Sequence, residues 1–170
     1  GLILLLERPV RVGDAIQLED VTGVVRAIGA RSTRVVTGEN IEIVVPNSML
    51  LQNVVRNWTL SDDEVRSDVG VGVAYGSPVD TVKELLLRAA AEQERVLKEP
   101  PPEVLFEDFG DNALGFRLYF WLRMRRPFDR QRVQSDLRFT VDRLFRESSI
   151  VIAFPQRDVH LDSARPLEVR

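Results

Sequence analysis

The 170-residue chain contains no cysteine and one histidine, His160. The first absence excludes disulfide frameworks, thiolate metal centres and cysteine nucleophiles, and it suits a reducing compartment. The second excludes a multi-histidine metal site within one chain. His160 has no Gly-x-Ser-x-Gly motif to pair with and reads as structural. No run approaches the roughly 20 apolar residues of a membrane helix. A dominant basic charge is also missing. The net charge is -3, whereas a nucleic-acid binder usually presents a basic face. Residues 1–60 balance six acids with six bases, residues 61–103 carry a net of -5, and residues 104–170 a net of +2.

What is present suits a folded chain. Hydrophobic residues make up 44% and charged residues 29%, enough to bury a core and stay soluble in one domain or two small ones. The chain opens on Gly1 to Leu6, G-L-I-L-L-L, without an initiator methionine, a basic n-region or a cleavage-site pattern. It is not a signal peptide. Two readings of it stay open: a buried first strand, or the clipped end of a longer apolar helix.

The organising stretch is Ile41 to Trp58. An apolar strand (Ile41, Ile43, Val44, Val45) stops at Pro46, because proline cannot donate to a sheet ladder. Asn47 and Ser48 offer an N-cap for a helical turn, Met49 to Gln52, and Val54 to Trp58 is a further strand. Upstream, Pro9 breaks any helix and Gly13-Asp14 signals a turn. Ala15 to Leu18, Val21 to Ile28 and Arg31 to Val36 read as strands. Gly23 is expected at a bulge, and Gly38 is expected to take the positive φ of the hairpin loop Thr37 to Asn40. Five short strands in under 60 residues predict a small β domain over 8–60, an open barrel or sandwich of Sm-like type.

Residues 61–65, with Asp62, Asp63 and Glu64, read as an acidic linker. Beyond it, Arg66 to Ala74 alternates, and Ser77 and Pro78 start a helix that runs toward Lys98. Val104 to Phe109 and Leu114 to Met124 are strands. Asp129 to Glu147 is a helix with Val133, Leu137, Val141, Leu144 and Phe145 in a stripe, and Ile150 to Ala153 is a last strand. Residues 66–155 thus read β-α-β-β-α-β, a ferredoxin-like α+β domain. The tail, 156–170, holds one short alternating run from Asp158 to Leu161.

No constellation carries chemistry. Gly70-Val71-Gly72 lacks the third glycine of a dinucleotide fingerprint and lies inside a strand. The carboxylates of Asp62, Asp63 and Glu64 lack calcium-loop spacing. Arg123, Arg125 and Arg126 form a basic cluster at a strand end, and Trp58 and Trp121 suit a core or domain-interface anchor. No catalytic residue, cofactor or metal is expected, and the chain reads as a non-enzyme. Two other classes of function are open to such folds: a nucleic-acid-binding module, opposed by the acidic charge and by Val69 to Val73 carrying no aromatic residue, and a small-molecule-binding regulatory module.

Four motifs point further. Gly1 to Asp14 (G-L-I-L-L-L-E-R-P-V-R-V-G-D), Val44 to Ser48 (V-V-P-N-S), Val71 to Val82 (V-G-V-A-Y-G-S-P-V-D-T-V) and Phe154 to Leu161 (F-P-Q-R-D-V-H-L) resemble, in this order, the small-conductance mechanosensitive ion channel (MscS) family. The resemblance implies a homo-heptamer at the inner membrane, with cytoplasmic domains that form a hollow cage with side portals. It implies that residues 1–7 end a pore-lining transmembrane helix, and that Val159 and Leu161 lie in a strand shared between subunits. Asp62, Asp63 and Glu64 become a candidate portal rim that meets permeating ions. Exposed apolar residues of the turn, Met49 or Leu50, are expected to face a neighbouring subunit. Pro9, Gly13, Asp14, Pro46, Asn47 and Ser48 carry the motifs.

Overall fold

A computed structural model describes residues 9–59, 63–126 and 128–158. The first part is an antiparallel sheet of β1 (Ala15–Leu18), β2 (Val21–Ile28), β3 (Ser32–Thr37), β4 (Glu42–Pro46) and β5 (Val55–Asn57), in the order β4-β3-β2-β1-β5. Helix α1 (Asn47–Gln52) joins β4 to β5. The inward residues alternate along each strand and meet in one cluster: Val10, Ile16, Leu18, Val25, Val35, Val45 and Leu50. The sheet is open among the described residues, with β4 and β5 at its two edges. Pro46 pairs with Ser32 on the edge strand, where a missing N–H costs the sheet nothing.

Two glycines have different tasks from those expected. The register shift on β2 falls between Val25 and Ala27, not at Gly23. A Cβ on Gly23 would lie 2.4 Å from the Val36 carbonyl oxygen, so glycine there allows two strands to approach closely. In the β3–β4 hairpin the positive φ (63°) belongs to Asn40. Gly38 instead lies under the ring of Phe128.

The second part holds β6 (Glu64–Val73), α2 (Val79–Glu92), β7 (Glu103–Phe109), β8 (Leu114–Arg123) and α3 (Asp129–Glu147). The sheet is antiparallel in the order β6-β8-β7. Phe116, Leu118, Phe120 and Leu122 of β8 point to one face and are buried with Val82, Leu86 and Ala89 of α2 and Val133, Leu137, Leu144 and Phe145 of α3. Each buried Leu or Phe contributes roughly 1.5–3 kcal/mol of transfer free energy, so the helical stripes hold both helices on this face.

Three boundaries differ from the sequence reading. Helix α2 ends at Glu92 rather than near Lys98. The chain then lies along β8, where the Leu97 N–H donates to the Trp121 carbonyl at 2.8 Å and Val96 bridges Leu122. Ser77 does not cap α2; its hydroxyl donates to the Ala74 carbonyl at 2.7 Å, and Pro78 stands at the cap position. The expected strand Ile150 to Ala153 is a single bridge, Val73 to Ile152, flanked by the Ala74 N–H to Val151 and the Ala153 N–H to Gly72, both 2.9 Å. Among the described residues no helix is long and apolar enough to cross a membrane.

Candidate functional site

The motif residues of the first part converge on two polar joints. Asp14 is buried, and its carboxylate gathers three donors. Oδ2 accepts the Arg11 N–H at 2.8 Å and Asn57 Nδ2 at 2.7 Å; Oδ1 accepts the Thr59 hydroxyl at 3.2 Å. Asn57 Nδ2 also donates to the Pro9 carbonyl at 3.1 Å. Gly13, at φ 96°, makes the turn that brings Asp14 inward. The second joint is Asn47. It is the first residue of α1 and is buried, but it caps nothing. Its Nδ2 donates to the Gly29 carbonyl at 2.9 Å, its Oδ1 accepts the Thr33 hydroxyl at 2.8 Å, and its N–H donates to Arg31 at 2.9 Å. Ser48 is exposed and makes no cap bond either. A helix of six residues gains its place from this side-chain joint rather than from capping.

Leu50 belongs to the core of its own subunit, and half-buried Met49 packs against that core. The expectation that Leu50 faces a neighbour is therefore corrected: on a short amphipathic helix the fourth residue turns inward. The apolar residues left outside in this part are Val12, Leu51 and Val54, and Ile41 and Val44 on or beside β4. Val159, His160 and Leu161 lie outside the described residues, as does Asp62.

The remaining acids of the linker are partnered. Glu64 is the first residue of β6, and its Oε1 accepts Arg123 Nη2 at 2.8 Å; Asp63 lies 3.3 Å from Arg123 Nε. The Met124 N–H donates to the Asp63 carbonyl at 2.7 Å, so the linker is tied to the end of β8. Trp58 lies under the Arg130 guanidinium, 5.3 Å from ring centroid to Cζ, which makes it a contact between the two parts.

The face of the second sheet turned away from the helices carries a lattice of charge that sequence reasoning missed. Alternation along β8 gives the signal: Arg117, Tyr119, Trp121 and Arg123 are the residues opposite the apolar stripe. Arg117 spans all three strands. Its Nη1 donates to Asp68 on β6 at 2.5 Å and its Nε to Glu107 on β7 at 2.8 Å. The Glu107 carboxylate first, and Asp68 after it, hold the guanidinium further above its already high range. Partial burial, then the hydrogen bond to Glu107, raises the Tyr119 hydroxyl. Arg66 stacks over Tyr119 at 4.3 Å. Alternation along β7 puts Glu107 on this face with Leu105, which pairs with Arg117, and the register shift between Phe106 and Asp108 follows it. Gly70 and Gly72 lie within β6, paired with Arg117 and Gly115, and a Cβ on Gly72 would fall 2.9 Å from that of Ala113. Among the described residues no group of acids or histidines has the arrangement to hold a metal.

The described residues make a strand-rich unit with open edges, followed by an antiparallel sheet backed by two helices. Comparison with known proteins places it. The profile described as "Mechanosensitive ion channel, beta-domain" matches residues 1–60, and that described as "Mechanosensitive ion channel MscS, C-terminal" matches residues 68–152. The chain belongs to the MscS family of mechanosensitive ion channels, whose members sit in membranes. It is 41% identical over 169 residues to mechanosensitive channel MscK of Escherichia coli, covering 99% of this chain and 15% of that protein. It is 33% identical over 164 residues to the small-conductance mechanosensitive channel of Edwardsiella ictaluri, covering 96% of this chain and 56% of that one. The crystal structure of Helicobacter pylori MscS in its closed state superposes with a TM-score of 0.83 at 23% identity, over 95% of this chain and 63% of that chain. Arabidopsis MSL1 shares the fold at a TM-score of 0.67 and 16% identity, over 91% of this chain and 54% of that one. The chain thus spans only part of the proteins it matches, about a seventh of MscK.

Proposed function

We propose that this chain is the cytoplasmic cage region of an inner-membrane mechanosensitive channel, a homo-heptamer whose subunits support the pore and filter solutes at side portals. The observation that carries the reading is the succession of both family profiles along one chain, in channel order. The strand order β4-β3-β2-β1-β5 adds a physical route to assembly. We read it as an Sm-like unit whose two edge strands, β4 and β5, are unpaired among the described residues. Val44 on one edge is 61% exposed, and Val54 beside the other is 85% exposed. Unpaired edges with exposed apolar residues gain hydrogen bonds and burial by joining a neighbour, and a head-to-tail contact of this kind closes into a ring when the rotation between neighbours divides the full circle. The second part corresponds to a ferredoxin-like β-α-β-β-α-β unit whose fourth strand is reduced to the Val73–Ile152 bridge. Residues 1–7, which the resemblance assigns to the end of a pore-lining helix, and Val159 and Leu161, which it assigns to a closing strand, lie outside the described residues.

Asp62, Asp63 and Glu64 form the portal rim in this reading. Because Arg123 pairs with Asp63 and Glu64, the rim carries less free charge than its three acids suggest, and it biases ion access modestly. The mass of the purified chain in solution tests assembly: seven copies are expected, and a monomer at high protein concentration removes the claim that this region drives it. Reversal potentials of a channel with D62N, D63N and E64Q together test the rim. An unchanged cation/anion preference ends that part of the proposal.

A further inference from the structure

We infer that Asp14 is a positioning residue that ties the place where the chain enters the β-rich part to the place where it leaves. The inference rests on the channel reading above. The joint has two sides. On the incoming side are the Arg11 N–H, 2.8 Å from Asp14 Oδ2, and the Pro9 carbonyl, 3.1 Å from Asn57 Nδ2. On the outgoing side are Asn57 Nδ2, 2.7 Å from Oδ2, and the Thr59 hydroxyl, 3.2 Å from Oδ1. The Thr59 hydroxyl oxygen also accepts the Ala15 N–H at 3.1 Å, and the Trp58 N–H donates to the Ala15 carbonyl at 2.9 Å. Residues 9–11 and 57–59 are therefore held together directly, across more than forty residues of intervening sheet.

The mechanical consequence follows from position. Tension pulling on the chain before Pro9 reaches Thr59, and from there the second part, through this joint. The sheet need not deform to pass it on. One carboxylate does this because it is the acceptor-only group of the set: every neighbour that points at it is a donor, and an ionised carboxylate has room for all of them. Its burial makes the geometry exacting, since a donor left without its acceptor there is not replaced by bulk water.

The acceptor-only requirement supplies a test that separates coupling from stability. The single change D14N places an amide where two N–H donors converge. The reciprocal pair D14N/N57D remakes the bond between positions 14 and 57, with donor and acceptor exchanged. It leaves the incoming side mismatched, because an amide at position 14 now faces the Arg11 N–H and a carboxylate at position 57 faces the Pro9 carbonyl. Hydrogen exchange on the whole chain should show D14N destabilised and the reciprocal pair regaining at most part of that loss, since its incoming side stays mismatched. The Arg11 amide should nevertheless exchange about tenfold faster or more in both, as expected for losing a charge-assisted hydrogen bond. In a membrane-inserted channel carrying this segment, the reciprocal pair should open at lower tension than the wild type, because the pore segment is released from the load beyond Thr59. An Arg11 amide that stays protected in the reciprocal pair overturns the joint. Fast exchange at Arg11 with an unchanged or raised opening tension overturns its part in gating. A wild-type channel carrying this segment that never opens under tension overturns the channel reading itself.

Discussion

The ring of Phe128 lies over Gly38 so closely that a Cβ on Gly38 would fall 2.0 Å from Cε2. Gly38 sits in the β3–β4 hairpin and Phe128 at the N-terminal cap of α3, so the contact joins the two parts of the chain. Phe128 holds a positive φ of 67°, a strained choice for a bulky residue that costs on the order of 1–3 kcal/mol unless surroundings enforce it. G38A should push the ring away and destabilise the chain by about 1–3 kcal/mol, the usual effect of overpacking. The same change in an F128A background should be nearly neutral. A double-mutant cycle by urea denaturation measures the difference, and additive effects would dismiss the contact.

Asp129 governs a pH response. Burial pushes its carboxyl upward, but the Arg125 N–H, the Arg95 guanidinium at 2.7 Å and the Arg126 N–H outweigh it and hold it below the ordinary 3.8. A carboxyl depressed in the folded state stabilises the fold above its unfolded value, and that stability drains away as pH falls through the folded value. The chain should therefore lose stability below about pH 4, and D129N should flatten this part of the curve. Thermal midpoints between about pH 2 and 6 for both proteins decide it; parallel curves would exclude Asp129 as the source.

Asn47 and Thr33 form a buried pair whose removal leaves groups without partners. N47A strands the Thr33 hydroxyl and removes the donor to Gly29. The expected cost is about 1–3 kcal/mol, the desolvation penalty of an unmet buried polar group. The urea midpoint should fall with an unchanged slope. An N47A chain as stable as the wild type would show that water or a shift of α1 satisfies both groups.

The sheet edges offer a separable test of assembly. Val44 and Val54 are exposed in the single chain, so V44K and V54K should leave thermal stability within about 0.5 kcal/mol of the wild type, as for ordinary surface changes. Both should reduce the assembled mass, because charge on an edge opposes strand pairing. An unaltered assembly would move the interface elsewhere on the molecule.

The parts of this fold legible in the sequence are those set by periodicity. Phe116 to Leu122 announced its buried face, and the stripe from Val133 to Phe145 announced α3, because alternation and helical spacing are local properties. What escaped depends on partners distant in sequence. Gly23 and Gly38 are both glycines for close approach, to Val36 and to Phe128, yet composition alone made them look like a bulge and a turn. Asn47 had the sequence of a cap, but Thr33 and Gly29 claim its side chain. The end of α2 was displaced because the carbonyl of Trp121 draws Leu97 into the sheet. The candidate site divided in the same way. Leu50 moved inward, Asp63 and Glu64 acquired Arg123, and the lattice around Arg117 became visible only when three strands were aligned.

The two hydrophobic clusters, one around Ile16 and Val35 and the other around Leu118 and Phe120, have no buried residue in common. Cohesion in this chain is therefore kept in two separate stores of unequal size, and heating should exhaust the smaller one first. In calorimetry the isolated chain should show two overlapping endotherms, with the van't Hoff enthalpy below the calorimetric one. Between them lies a temperature range in which the first sheet has melted while the second, backed by its two helices, stays folded.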